Sequence, residues 1–226
     1  MEVSWNDTVE ISQCHRAGGD GILKSCALPQ SLTLEVASNL MITLSDNTAT
    51  NAVIDFLGGT QLVNQQIAEL GYPQSKLCAW IGGTNRDPHA SSWLPHASLP
   101  TRTGISRITV SEHFSCIDKL LDDDHCRQML ENQQDYRSLA RYIVADLPFA
   151  HKTGTADGLR HDGGVLVMAN GRILKVHCLT DGPSREETLD APACLAIANA
   201  MKETLQLFGA SDYLSEEVNK GLLTLK

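Results

Sequence analysis

The chain has 226 residues, 42% hydrophobic and 20% charged, a balance that excludes a disordered or fibrous protein and suffices for one well-cored domain or two small lobes. Its 18 Lys+Arg against 27 Asp+Glu give a formal charge of −9 with no basic run. Nucleic acid is therefore excluded as a partner, because that binding depends on cations neutralising phosphates. No apolar run reaches the roughly 18 residues needed to cross a bilayer, and the opening MEVSWNDTVEI has neither the basic nor the apolar region of an export signal. The seven cysteines, at positions 14, 26, 78, 116, 126, 178 and 194, are odd in number and scattered, without a CxxC pair or a Cys/His spacing typical of zinc. Reduced cysteines are expected, and neither metal nor cofactor.

In chain order, the first strong period runs from Thr33 to Leu44, with Val36, Ala37, Leu40, Met41 and Leu44 at helical spacing, Thr33 as N-cap and Glu35 in the first turn. After Asn47 the period restarts with Ala49, Ala52, Val53, Phe56 and Leu57 and stops at Gly58-Gly59. Ser45-Asp46-Asn47 thus lies between two helices. Gln61 to Leu70 predicts a third helix closed by Gly71, and Thr109-x-x-Glu112 is a capping box opening a fourth through Leu121. Two short helices are expected over Asp124 to Asn132 and Asp135 to Val144. The segment from Ile81 to Ser106 is rich in Gly, Pro, Ser, Thr and Asn and reads as a long surface loop.

From Phe149 the pattern changes to strands, Phe149 to Thr155, Gly164 to Met168 and Arg172 to Leu179, the last two joined by the two-residue hairpin signal Asn170-Gly171. Glu186 to Phe208 then predicts a long amphipathic helix able to cover one side of the antiparallel sheet. The fold class is α+β: residues 1–147 a mostly helical lobe, 148–208 a sheet with its covering helix, and 209–226 a short helix or loose tail, together one catalytic-domain fragment.

Neither Ser-Asp-Asn nor His151-Lys152-Thr153-Gly154 says much alone, since polar triplets are common turn formers and N-caps, although lysine in an apolar strand is less expected. Their combination, order and context are specific: SDN between helices, KTG on a strand opening a hairpin. Together with Leu40-Met41-Ile42-Thr43-Leu44 before SDN and Gly158-Leu159-Arg160-His161-Asp162 after KTG, they resemble the class A β-lactamase-like serine hydrolases, whose signature is SxxK, SDN and KTG. The resemblance runs from about Trp5 to Phe208. It implies the β-lactamase/transpeptidase-like fold and acyl transfer at a serine, with a small β-lactam or peptidoglycan-like substrate. It also implies roles: Ser45 as a proton-relaying hydroxyl, Lys152 as the charge beside it, and Asn47 as hydrogen-bond partner of the substrate's side-chain amide. Thr153 meets the substrate carboxylate after Lys152 and before Gly154, Thr155 offers a backbone N–H to the oxyanion, and Arg160 or His161 adds positive charge near the carboxylate.

No Ser-x-x-Lys occurs in the 226 residues. Ser115 and Lys119 are one helical turn apart but belong to an amphipathic helix and read as surface residues. Trp5 to Ile11 resembles the stretch that follows the family's nucleophile helix, so an N-terminal helix, two strands and that helix are expected to be missing and the chain alone to be poorly stable and inactive. Residues 81–106 contain no Glu and only Asp87, whereas class A enzymes use a loop glutamate to activate the deacylating water. The alternative expectation is a non-catalytic homologue or gene fragment that binds D-Ala-D-Ala-like ligands, β-lactams or a protein partner.

Overall fold

The computed structural model describes residues 3–81, 106–144, 147–156, 159–180 and 192–215. The chain divides into two compact units, Met1–Glu112 and His113–Lys226. In the first, strands β1 (Thr8–Ile11) and β2 (Gln30–Thr33) pair antiparallel from Thr8↔Thr33 to Ile11↔Gln30. The alternation Thr-Val-Glu-Ile turns Val9 and Ile11 inward, both wholly buried. The lobe expected to be mostly helical also carries a two-stranded sheet. Four residues are too few to make that alternation stand out from coil, and polar Gln30-Ser31 hides its partner strand.

Helix α1 (Leu34–Thr43) follows, its first turn capped by the Thr33 side chain accepting from Val36 N–H. Helices α2 (Asn47–Phe56) and α3 (Gly59–Glu69) come next, as the periodicity predicts. Gly58 between them has φ 90, a left-handed position that glycine fills without a Cβ penalty. Ala37, Ala49 and Ala52 let α1 and α2 approach each other closely, and with Val9, Ile11, Leu23, Leu34 and Val53 they form the unit's core.

Helix α4 (Val110–Leu120) spans the division between the units. Thr109 Oγ1 accepts from Glu112 N–H as its capping role requires, while the Glu112 carboxylate accepts from Gln74 N–H and Ser75 Oγ. Helix α5 (Asp124–Glu131) is capped by Asp123. The helix expected over Asp135 to Val144 is only a 3-10 turn at Leu139–Tyr142. The donor that would close the first α-helical turn, Leu139 N–H onto Asp135 O, goes instead to Asp162, while ahead of it Gln133 Oε1 accepts from Gln134 and Asp135 N–H and Asp135 from Arg137 N–H.

Strands β3 (Phe149–Ala156), β4 (Leu159–Val167) and β5 (Ile173–Leu179) form an antiparallel sheet in the order β3-β4-β5, with β4 beginning five residues before its expected start. The β4–β5 hairpin is wider than a two-residue turn. Gly171 N–H donates to Met168 O and Met168 N–H to Arg172 O, with Gly171 at φ 78 supplying the left-handed residue of a three-residue loop. Helix α6 (Pro192–Leu207) lays Ile197, Ala198, Met201 and Leu205 against Phe149, Leu166 and Met168. Each of Leu166, Ile197, Met201 and Leu205 is at most 2% exposed, worth about 1.5–3 kcal/mol apiece. The expected start of this helix at Glu186, the 82–105 part of the long loop with Asp87, and the tail from residue 216 lie outside the described residues. A 3-10 turn occupies Ser211–Tyr213. No described helix is long and apolar enough to cross a membrane.

Candidate active site

Ser45 and Asn47 belong to the first unit. Helix α1 ends at Thr43 and α2 begins at Asn47, and the reversal between them places Ser45 at φ 50, the one non-glycine residue with positive φ among the described residues. The turn is fixed by Asp46, which is wholly buried. One carboxylate oxygen caps α2 by accepting from Ala49 N–H at 2.9 Å, and the other accepts from Ile22 and Leu23 N–H at 2.7 and 2.9 Å. Asn47 Nδ2 donates to Gly18 O at 2.7 Å, and Thr48 Oγ1 accepts from Ala17 N–H at 3.2 Å. The loop Ala17–Leu23 is thus laid along the SDN turn, and Gly21, at φ 98, leaves no room for a Cβ against the Asp46 carboxyl. Arg16 anchors the loop from outside, donating to the carbonyls of Lys24 and Cys26. Sequence reasoning found the motif but missed its loop. The signal available was Gly18-Gly19-Asp20-Gly21, a glycine cluster that marks close backbone approach.

Lys152, Thr153, Gly154, Thr155, Arg160 and His161 belong to the second unit, on the β3–β4 hairpin. Residues directly opposite in a sheet share a face, and the register sets Lys152, Gly163 and His177 in one row. That face is opposite the one bearing Phe149 and Leu166 beneath α6. Lys152 is half-buried and its Nζ donates to Thr153 O at 2.6 Å. The Thr153 side chain is buried on the other face, in the row of Asp162. Below it, His151 Nδ1 lies 2.9 Å from Asp162 Oδ1, both side chains essentially sealed from solvent, and His151 stacks on Phe149 at 4.5 Å. This buried pair ties β3 to β4, and through Leu139 N–H to the preceding 3-10 turn.

Thr155 is exposed and opposite Arg160. Arg160 exchanges its backbone bonds with Thr180, donating N–H to Thr180 Oγ1 and accepting from Thr180 N–H, so its main chain faces β5. In an antiparallel ladder that makes Thr155↔Arg160 a non-hydrogen-bonded pair and turns Thr155 N–H to the outer edge of β3. A Cβ at Gly154 would meet His161 Cβ at 3.5 Å, an ordinary contact, so strand pairing does not demand glycine there. Arg160 is 4% exposed, and its guanidinium donates to the Ala156 and Leu159 carbonyls at the hairpin tip. His161 Nδ1 accepts from Thr180 N–H at 3.0 Å, which leaves Nε2 as its donor. Ser115 and Lys119 are exposed on α4, as read from sequence. Among the described residues no three His, Cys, Asp or Glu side chains gather to hold a metal ion.

An antiparallel sheet with its covering helix, SDN at a strained helix junction and KTG at a hairpin define a β-lactamase-like serine hydrolase scaffold. The model of the Beta-lactamase enzyme family matches residues 2–205, and the chain belongs to that family. A β-lactamase of Bacteroides uniformis is 25% identical over 151 residues, which are 63% of this chain and 50% of that protein. The chain thus spans half the length of the curated relative it matches. Among solved structures, the β-lactamase from Sphaerobacter thermophilus DSM 20745 is 28% identical with a TM-score of 0.72, covering 91% of this chain and 74% of that one. PBP-A shares the fold at 22% identity, with a TM-score of 0.71 over 92% of this chain and 73% of its own. Class A β-lactamases are among the further structures with this fold.

Proposed function

We propose that this chain carries the substrate anchors and proton relay of a serine hydrolase that opens a β-lactam, or a related amide or ester, through an acyl-serine intermediate. In that reaction a serine oxygen attacks the carbonyl carbon, backbone N–H groups hold the oxyanion, the C–N bond breaks and the leaving nitrogen takes a proton. Ser45 relays that proton, and Lys152 supplies the positive charge that favours alkoxide character and draws in an anionic substrate. Asn47 hydrogen-bonds the substrate's side-chain amide. Thr155 N–H is the oxyanion donor and Gly154 keeps the approach to it open. His161 meets the substrate carboxylate from the face that carries Lys152, while Thr153 on the buried face and Arg160 at the hairpin tip hold the strand pair on which it stands.

The observation that carries this reading is Ser45 at φ 50. A non-glycine residue in the left-handed region costs about 1–2 kcal/mol, which glycine would avoid in a plain helix-to-helix turn. Such strain collects at functional sites when the surroundings over-determine it, as the three N–H bonds to Asp46 do here. The absence of Ser-x-x-Lys from the 226 residues favours the second reading, a non-catalytic homologue that binds D-Ala-D-Ala-like ligands or a protein partner. With no Glu among residues 81–106, deacylation is expected to be the slow step of any turnover, unless Asp87 activates the water.

A fluorescent penicillin separates the two. It is incubated with the 226-residue chain and with the same chain extended by any in-frame coding sequence upstream of Met1. Hydroxylamine-sensitive labelling of the extended chain only, at the serine of an in-frame Ser-x-x-Lys and at least a hundredfold slower in Ser45→Ala, is the expected result; a general acid or base step contributes about that much. No labelling of either chain refutes the hydrolase and leaves the binding homologue.

A further inference from the structure

One cluster of titratable side chains in the second unit has no part in the reaction above. His113 of α4 and His177 of β5 meet through their Nδ1 atoms at 2.9 Å. Their ring centroids are 4.9 Å apart with planes at 86°, and Phe114 lies against His177 at 4.7 Å. Both rings occupy the space above Gly163 of β4, where a Cβ would collide with His177 Nδ1 and come within 2.6 Å of His113 Cε1. The missing side chain in the row Lys152–Gly163–His177 is what admits the pair.

An Nδ1–Nδ1 hydrogen bond needs one N–H and one lone pair, so the two neutral rings are opposite tautomers. A first proton can be taken by the free nitrogen of the donor ring without loss of the bond. A second leaves hydrogen on both Nδ1 atoms, and attraction becomes repulsion. We propose that the His113–His177 pair is a proton-operated latch, pinning α4 to the sheet face that carries Lys152 and releasing it when both rings are protonated.

The surroundings oppose that charge. Burial is the main cause that lowers His113 to about 4, reinforced by His177, His161 and Lys152 and opposed by Asp162. Burial also lowers His177, with Lys175 reinforcing and Asp118 opposing. Among the described residues these groups come from α4 (Asp118), β3 (Lys152), β4 (His161, Asp162) and β5 (Lys175). Lys175 and Asp118 pair with each other beside the latch, and Lys175 lies 5.3 Å from the Phe114 ring centroid. Because His113 titrates lower folded than unfolded, the folded chain binds fewer protons between about pH 6.5 and 4. The latch's contribution is complete above that window and is lost as pH falls through it.

The test uses the whole 226-residue chain. Side-chain ¹⁵N NMR of the histidines at pH 7 is expected to show His113 and His177 neutral in opposite tautomers, with His113 protonating only below about pH 5. Identical tautomers, or ordinary midpoints near 6.5 for both, overturn the latch. Thermal melts from pH 7 to 4.5 compare the wild type with His113→Asn, which keeps a hydrogen-bonding group near Nδ1 but takes no proton, and with His113→Phe. Both variants are expected to lose several degrees less Tm on acidification than the wild type, and Asn to be the more stable of the two at pH 7. Equal acid sensitivity in all three overturns the proposal. If neither variant folds, the tautomer and titration measurement on the wild type still decides it.

Discussion

Replacing Asp46 by alanine removes one buried carboxylate on which three backbone N–H groups depend. Losing the N-cap of α2 costs about 1 kcal/mol. The N–H groups of Ile22 and Leu23 lose their acceptor in a half-buried to buried setting, at about 1–3 kcal/mol each, for a total on the order of 3–7 kcal/mol. In a chain of this length that corresponds to a Tm lower by about 6 °C or more. Asp46→Asn is no rescue. Its Oδ1 can still cap Ala49, but its NH₂ is then turned on the N–H groups of Ile22 and Leu23, donor against donor. Urea titration followed by far-UV circular dichroism and tryptophan fluorescence, with Trp5 and Trp80 both in the affected unit, measures the loss. A cost below about 1 kcal/mol for alanine, or wild-type stability in the asparagine variant, would refute the assignment of Asp46 as the joint that holds the SDN turn to its loop.

The same titration is expected to show a loss of about 3 kcal/mol or more for Gly164→Ala, because the new Cβ collides with Ala150 O and His151 Cβ, main chain and near-main-chain atoms of β3 that cannot swing away. Asn51→Ala removes an acceptor for Ile81 N–H at 2.7 Å and donors to Ile81 O and His15 O. It is expected to cost about 2 kcal/mol and to speed amide exchange at Ile81; unchanged exchange there would mean that α2 does not anchor that segment.

Helix α1 with its Thr33 cap, helices α2 and α3, the strands around KTG and the glycine of the last hairpin are all legible in the residues, because period, capping and turn chemistry are local signals. Strands β1 and β2 are not. Each has four residues, and what stabilises them is the burial of Val9 and Ile11 against α1 and α2, a tertiary effect. The segment from Asp135 to Val144 fails for a related reason. Its composition suits a helix, yet the distant Asp162 captures Leu139 N–H, the donor that would close the first helical turn onto Asp135 O, and Asp162 comes within reach only through the β3–β4 register.

The sequence by itself determined the family and the identity of the motif residues, since Ser45-Asp46-Asn47 and Lys152-Thr153-Gly154 are chemical types in a fixed order and context. Only the tertiary structure decided what those residues do with their atoms: Asp46 is spent on the loop Ala17–Leu23, Arg160 on the hairpin tip, and Thr155 N–H points to the strand's outer edge. The His113–Gly163–His177 arrangement is wholly of this second kind. Its members stand 50 and 14 positions apart (163 − 113 and 177 − 163) and carry no motif, and strand register with the packing of α4 is what brings two imidazoles over one missing side chain.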